Sequence, residues 1–212
     1  LADNGVTIKA CDFAIVGDTG VIDGVTYTVV DRAMLQEMVN NEQDVTKLAT
    51  TKVTSMYVMF RFNTSFNQPI GNWDVSNVTN MAAMFADAEA FNQPIGNWDT
   101  SNVTNMNYMF QNTNSFNQLI GDWDVSNVID MNGIFGSANS FNQPIGDWDV
   151  SNVTGMAAMF AYAPSFNQPI GNWDVSNVID MNGMFVDADA FNQPIGDWDV
   201  SNLTSMQSMF RT

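Results

Sequence analysis

The chain has 212 residues, 45% hydrophobic and 12% aromatic, enough apolar material for a continuous core in one or two domains. Its charge is lopsided: 23 acids against 6 Lys plus Arg, no His, and a net charge of −17. From Phe62 to Phe210 there are 15 acids and no Lys or Arg, an anionic body that repels nucleic-acid backbones and anionic lipid and attracts cations and cationic partners.

Cys11 is the only cysteine, so no intramolecular disulfide can form. No apolar run reaches the length of a membrane span, which argues against membrane insertion, and no signal peptide is visible at Leu1. Either the mature chain begins there or a leader has been removed.

The lead-in, residues 1–40, lacks the pattern that follows. Val6–Ala10 (V-T-I-K-A) alternates as a strand does, and Val21–Val30 reads as a hairpin turning at Asp23-Gly24. Asp31 is placed to cap a short helix carrying Ala33, Met34, Leu35, Met38 and Val39. This block is expected to cover the open end of an array. Residues 41–65 form a degenerate first copy, with Val45 and Leu48 in the later Ile and Trp slots and Val53, Met56, Met59 and Phe60 in register with Val78, Met81, Met84 and Phe85.

Residues 66–212 hold six copies of one unit, the last incomplete, first complete as F-N-Q-P-I-G-N-W-D-V-S-N-V-T-N-M-A-A-M-F from Phe66 to Phe85. Its Phe returns at 66, 91, 116, 141, 166 and 191, a strict 25-residue period, and each copy carries one Trp: Trp73, Trp98, Trp123, Trp148, Trp173 and Trp198. Such a period marks a solenoid whose units bury their apolar faces against one another. Within a unit, Trp73-Asp74-Val75 alternates as a short strand would. Ser76 then caps a helical spacing of Val78, Met81, Phe85 and Ala88. The pattern thus predicts an α/β solenoid, with short parallel strands on one face and short helices on the other. Each Trp, alternating with Asp among Ile, Val, Met and Phe, reads as core rather than a sugar platform. Burying roughly 150–250 Å² each gives roughly 4–6 kcal/mol gross per ring.

The amides Asn67-Gln68, Asn77 and their counterparts recur without change, as ladders bonding one coil's backbone to the next would require. Asn77, Asn102, Asn152, Asn202 and Asn63 match the glycosylation pattern. Because Asn fills the same slot at Asn127 and Asn177, where the third residue is Ile, packing accounts for it better. Positions 82–83 and 86–89 and their equivalents vary between copies on the expected helix side. The third and fifth copies are near twins there, which points to duplication rather than tailoring to a ligand.

Chemistry has few places to sit. There is no His, and no Ser or Cys beside a base, so the chain reads as a non-enzyme. The outward positions are acidic instead. Asp74, Asp99, Asp124, Asp149, Asp174 and Asp199 form one column, a candidate binding face. Two residues earlier runs Asn72, Asn97, Asp122, Asp147, Asn172 and Asp197. Like charges stacked this way repel, and two devices offset that: hydrogen bonds from backbone N–H groups such as those of Ser76 or Asn77, or capture of Ca²⁺. The acids are densest at Asp122, Asp124, Asp147 and Asp149, the candidate metal ligands, with calcium as the candidate ion.

The frame I-x-x-W-x-V-x-x-V-x-x-M-x-x-M-F resembles the leucine-rich repeats of BspA-like bacterial surface proteins, over roughly Thr26 to the end. The lead-in T-Y-T-V-V-D-R, running to V-T-S-M-Y-V-M-F, is similar to the segment that often precedes such arrays. The resemblance implies a right-handed, leucine-rich-repeat-like solenoid, extracellular or on a cell surface. It also implies adhesion to a protein or cell-surface ligand, extracellular matrix included. The alternative is a calcium-dependent structural spacer of a larger surface protein. Relatives often carry a second Cys near the slot of Ala49, which is absent here. The chain stops after Phe210-Arg211-Thr212 without a closing cap, so the last copy is expected to continue into a longer array or to make an end-to-end or dimer contact.

Overall fold

The computed structural model describes residues 1–211. Its regular elements are confined to the first quarter of the chain: β1 (Thr19–Ile22), β2 (Val25–Val29), α1 (Arg32–Asn40) and β3 (Leu48–Ala49). β1 and β2 are an antiparallel hairpin. Its turn residues Asp23 and Gly24 both have positive φ, 50° and 79°, the mirror-image turn that matches strand twist. β2 pairs in parallel with β3, giving a sheet ordered β1-β2-β3. Asp31 Oδ1 accepts the Met34 N–H at 2.9 Å and starts α1, which buries Leu35 and Val39.

The expected α/β architecture is overturned beyond β3. The copies contain neither the strand nor the helix that a right-handed leucine-rich-repeat-like solenoid requires, only tight turns and isolated bridges. The stretch read as a helix shows why. In an α-helix every N–H would turn back onto its own chain. Here alternate N–H groups leave it: Met81, Ala83, Phe85 and Asp87 donate to the carbonyls of Asn105, Asn107, Met109 and Gln111 in the following copy. The N–H groups between them close short turns, as Met84 does on Met81 and Ala86 on Ala83. That alternation puts Ala83 and Asp87 at φ of 51° and 62°, outside any right-handed helix. Asn80 contributes as well, its Oδ1 taking the Ala82 N–H where a helix would begin. A helix of two turns is also too short to nucleate alone. The spacing of three and four residues comes from successive tight turns, each returning an apolar side chain inward.

The Trp-Asp-Val stretch likewise forms no ladder between copies. Trp73 N–H closes a turn on Ile70, and Val78 N–H closes one on Val75. Coil-to-coil bonding there is made by side chains. Trp98 Nε1 donates to Ile70 O at 3.2 Å, and Trp123, Trp148, Trp173 and Trp198 repeat the bond one coil further each time. All six Trp rings are buried, from Trp73 at 0% exposed to Trp198 at 8%. Phe rings stack more closely than the Trp do. Phe85 and Phe91 lie 3.9 Å apart between ring centres, and Phe135 and Phe141 lie 3.8 Å apart. One core of Val, Ile, Met, Phe and Trp runs from Val30 to Met209. The amides act as coil-to-coil links: Asn102 Nδ2 donates to Ser76 O, and Asn67 Oδ1 accepts from both Asn92 N–H and Gln93 Nε2.

Because those alternate peptide groups all point their carbonyls toward the lead-in, coil 41–65 presents carbonyls with no coil before it. Helix α1 covers them. Arg32 donates to Ser55 O at 3.1 Å and Tyr57 O at 2.9 Å, and Gln36 Nε2 reaches Met59 O at 3.4 Å. The lead-in is therefore chemically a substitute coil, its guanidinium and amide standing in for backbone N–H groups.

Candidate functional site

The acidic column is ordered by the residue that follows each Asp at two positions. Asp99, Asp124 and Asp149 each accept, on Oδ1, the N–H and hydroxyl of Ser101, Ser126 and Ser151, with hydroxyl distances of 2.6 Å. Asp174 and Asp199 accept the N–H groups of Ser176 and Ser201 at 3.0 Å. The consequence is electrostatic. The Ser126 hydroxyl, and then its N–H, hold the Asp124 carboxyl below the usual carboxylate range against a small desolvation penalty. Ser176 does the same for Asp174, and Ser201 for Asp199, where the neighbouring Asp174 charge pushes back. Of the two devices expected to offset stacked charge, bonding to the Ser N–H is thus present.

Asp99, Asp124, Asp149, Asp174 and Asp199 are exposed, and their hydrogen bonds to the described residues all fall on Oδ1, while Asp74 is only 1% exposed. The lead-in sets it apart. Ile8 bridges to Trp73, Ala10 N–H donates to Thr51 Oγ1, and that hydroxyl donates to Asp74 Oδ2 at 2.7 Å. The candidate metal ligands Asp122, Asp124, Asp147 and Asp149 are all exposed, with Asp124 and Asp149 turned to their serines. Among the described residues, no three acids, Cys or His converge so as to hold a metal ion. No helix is long and apolar enough to cross a membrane.

Sequence reasoning missed the backbone. Asn72 O accepts the Ile8 N–H at 2.8 Å, and its counterpart one coil earlier, Lys47 O, accepts the Thr28 N–H at 3.1 Å. Side-chain patterns carry no signal for carbonyl direction. The only clue in sequence was the strand-like alternation of the two donor segments.

The arrangement defines a repeat protein of stacked coils that displays one oriented carboxylate per coil. The chain belongs to the family described as Mycoplasma protein of unknown function, DUF285, whose family model matches residues 31–145 and again 118–212. The double match reflects the 25-residue repetition, since the two spans overlap by about one copy. None of the curated proteins and none of the solved structures matches the chain.

Proposed function

We propose that this protein is a non-enzymatic repeat module of a bacterial cell surface or exterior, acting in adhesion or protein–protein interaction. The observation that carries the reading is the column Asp99, Asp124, Asp149, Asp174 and Asp199. These are exposed carboxylates, one per coil, on a body without a single Lys or Arg between Phe62 and Phe210. A charge row held in fixed register raises local counter-ion concentration and steers cationic partners, while the covered aromatic core leaves that face rigid. The resemblance of the repeat frame to BspA-like surface proteins supports the same reading and the extracellular location.

The test is direct. Purified protein is applied to host cells and to immobilised matrix proteins at physiological salt, and to the same targets at high salt. Saturable binding that weakens as salt rises supports adhesion, and its absence on every target at physiological salt removes it. Labelling of intact bacteria with an antibody to the repeats tests the location separately.

A further inference from the structure

Two extended stretches of the lead-in already lie against the array, and both use the same slot. Thr28 in β2 donates its N–H to Lys47 O, with Val30 N–H following to Ala49 O, and Ile8 donates to Asn72 O. Lys47 and Asn72 are one period apart, and both pairings run parallel. The equivalent carbonyls of Asn97, Asp122, Asp147, Asn172 and Asp197 accept no hydrogen bond from the described residues, and these five residues are exposed. Each sits two positions before a column carboxylate. At Asn72 the carboxylate takes part: through Thr51, the N–H of Ala10, two residues beyond Ile8, is linked to Asp74.

From this repetition we infer that the open coils dock an extended basic polypeptide. It lies parallel to each coil's Asn/Asp-Trp-Asp segment, one N–H on the slot carbonyl and its Lys or Arg side chains on the carboxylate column. Main-chain pairing of this kind gives affinity, and charge gives selection among extended segments. The lead-in segment V-T-I-K-A has the required character, an N–H at Ile8 followed by the exposed Lys9. A contact at one coil covers only a few residues and is weak, so the partner engages several coils at once and gains through avidity. The inference rests on the adhesion reading and specifies its partner.

The experiment uses the full chain and a fluorescein-labelled peptide of tandem V-T-I-K-A units joined by Gly-Ser linkers, read by anisotropy at physiological salt. Three comparisons decide it: a peptide with Pro in place of each Ile, a peptide with Glu in place of each Lys, and the protein variant Asp124→Asn/Asp149→Asn/Asp174→Asn. Asn keeps an oxygen for the serine N–H groups, and a wild-type circular dichroism spectrum with a cooperative melt above the assay temperature checks that the coils persist. Docking predicts saturable binding, weakened about tenfold by proline, which removes the donor, and by the Asn variant, and abolished by Glu. Equal binding of the proline peptide would show charge attraction without pairing and overturn the inference. So would absence of binding. If the protein adheres to cells while ignoring the peptide, only this inference fails; if it does neither, the adhesion reading falls too.

Discussion

Gly71, Gly96, Gly121, Gly146 and Gly171 have no unusual φ, yet a Cβ at each would sit 2.4–2.6 Å from the carbonyl oxygen of residue 94, 119, 144, 169 or 194 in the next coil. Backbone cannot yield as a flexible side chain can, so the coils would have to part. Gly196, in the last copy, meets nothing within 4 Å. Gly146→Ala is therefore expected to destabilise by about 1–3 kcal/mol in urea unfolding, while Gly196→Ala stays within about 0.5 kcal/mol. Equal effects would mean that the coil spacing is looser than this contact requires. The Asp–Ser pairs give a second residue-scale prediction. With the Asp124 carboxyl lowered in the folded chain, its contribution to stability is complete above about pH 4 and declines as acid carries the pH through the lowered value. Ser126→Ala removes the larger cause, the hydroxyl, and leaves the smaller, the N–H. The Asp124 carboxyl, followed by carbon NMR, should titrate at a higher pH in the variant; an unmoved titration would rule out the hydroxyl as the cause.

At the scale of elements, α1 is the piece whose position explains a charge. Arg32 caps two carbonyls at once, a task for a planar fork with separate N–H groups, which a Lys ammonium cannot match in geometry. Arg32→Lys is expected to recover only part of the stability lost in Arg32→Ala. Hydrogen exchange of the coil 41–65 amides should report faster local opening in both, with the far coils unchanged. Uniform exchange changes along the chain would instead mean that the cap governs global stability. The hairpin and α1 were legible in sequence because their signals are local: Asp23-Gly24 for the turn and Asp31 for the cap. The buried slots were legible because the 25-residue period repeats the same apolar choices. The helices and strands of the copies were misread because Val78, Met81, Phe85 and Ala88 carry a helical spacing without helical bonding. Spacing records which side chains go inward, not which carbonyl each N–H finds. The left-handed position at Ala83 is marked in sequence only by Gly in the same slot of the third and fifth copies, Gly133 and Gly183 at φ of 59° and 60°. The orientation of the acidic column was legible in part, since Ser follows each Asp at two residues, whereas the slot carbonyls beside it were not.

For the whole molecule, each coil bonds mainly to its neighbours at an offset of 24 to 28 residues, so stability should accumulate coil by coil. The strict period then makes a sharp prediction about length. Excising Phe116–Ser140 joins Ser115 to Phe141 and leaves every slot occupied by its own residue type: Trp98 is followed one period later by the former Trp148, Asp99 by Asp149, and Gly96 by Gly146. Nothing in the surviving coils is asked to change conformation. The shortened chain should fold, unfold with a smaller urea dependence in rough proportion to the surface lost, and be less stable by one coil's share. Excising one residue fewer, Phe116–Asn139, inserts Ser140 before Phe141 and puts every later side chain out of step with the coils before the junction. There the Trp Nε1 bonds and the Phe stacks cannot both be kept across the joint, and the two halves should unfold in separate transitions by tryptophan fluorescence. If both deletions unfold alike, in one step, stacking in register is not what couples the coils, and the continuous core from Val30 to Met209 must hold together by burial alone.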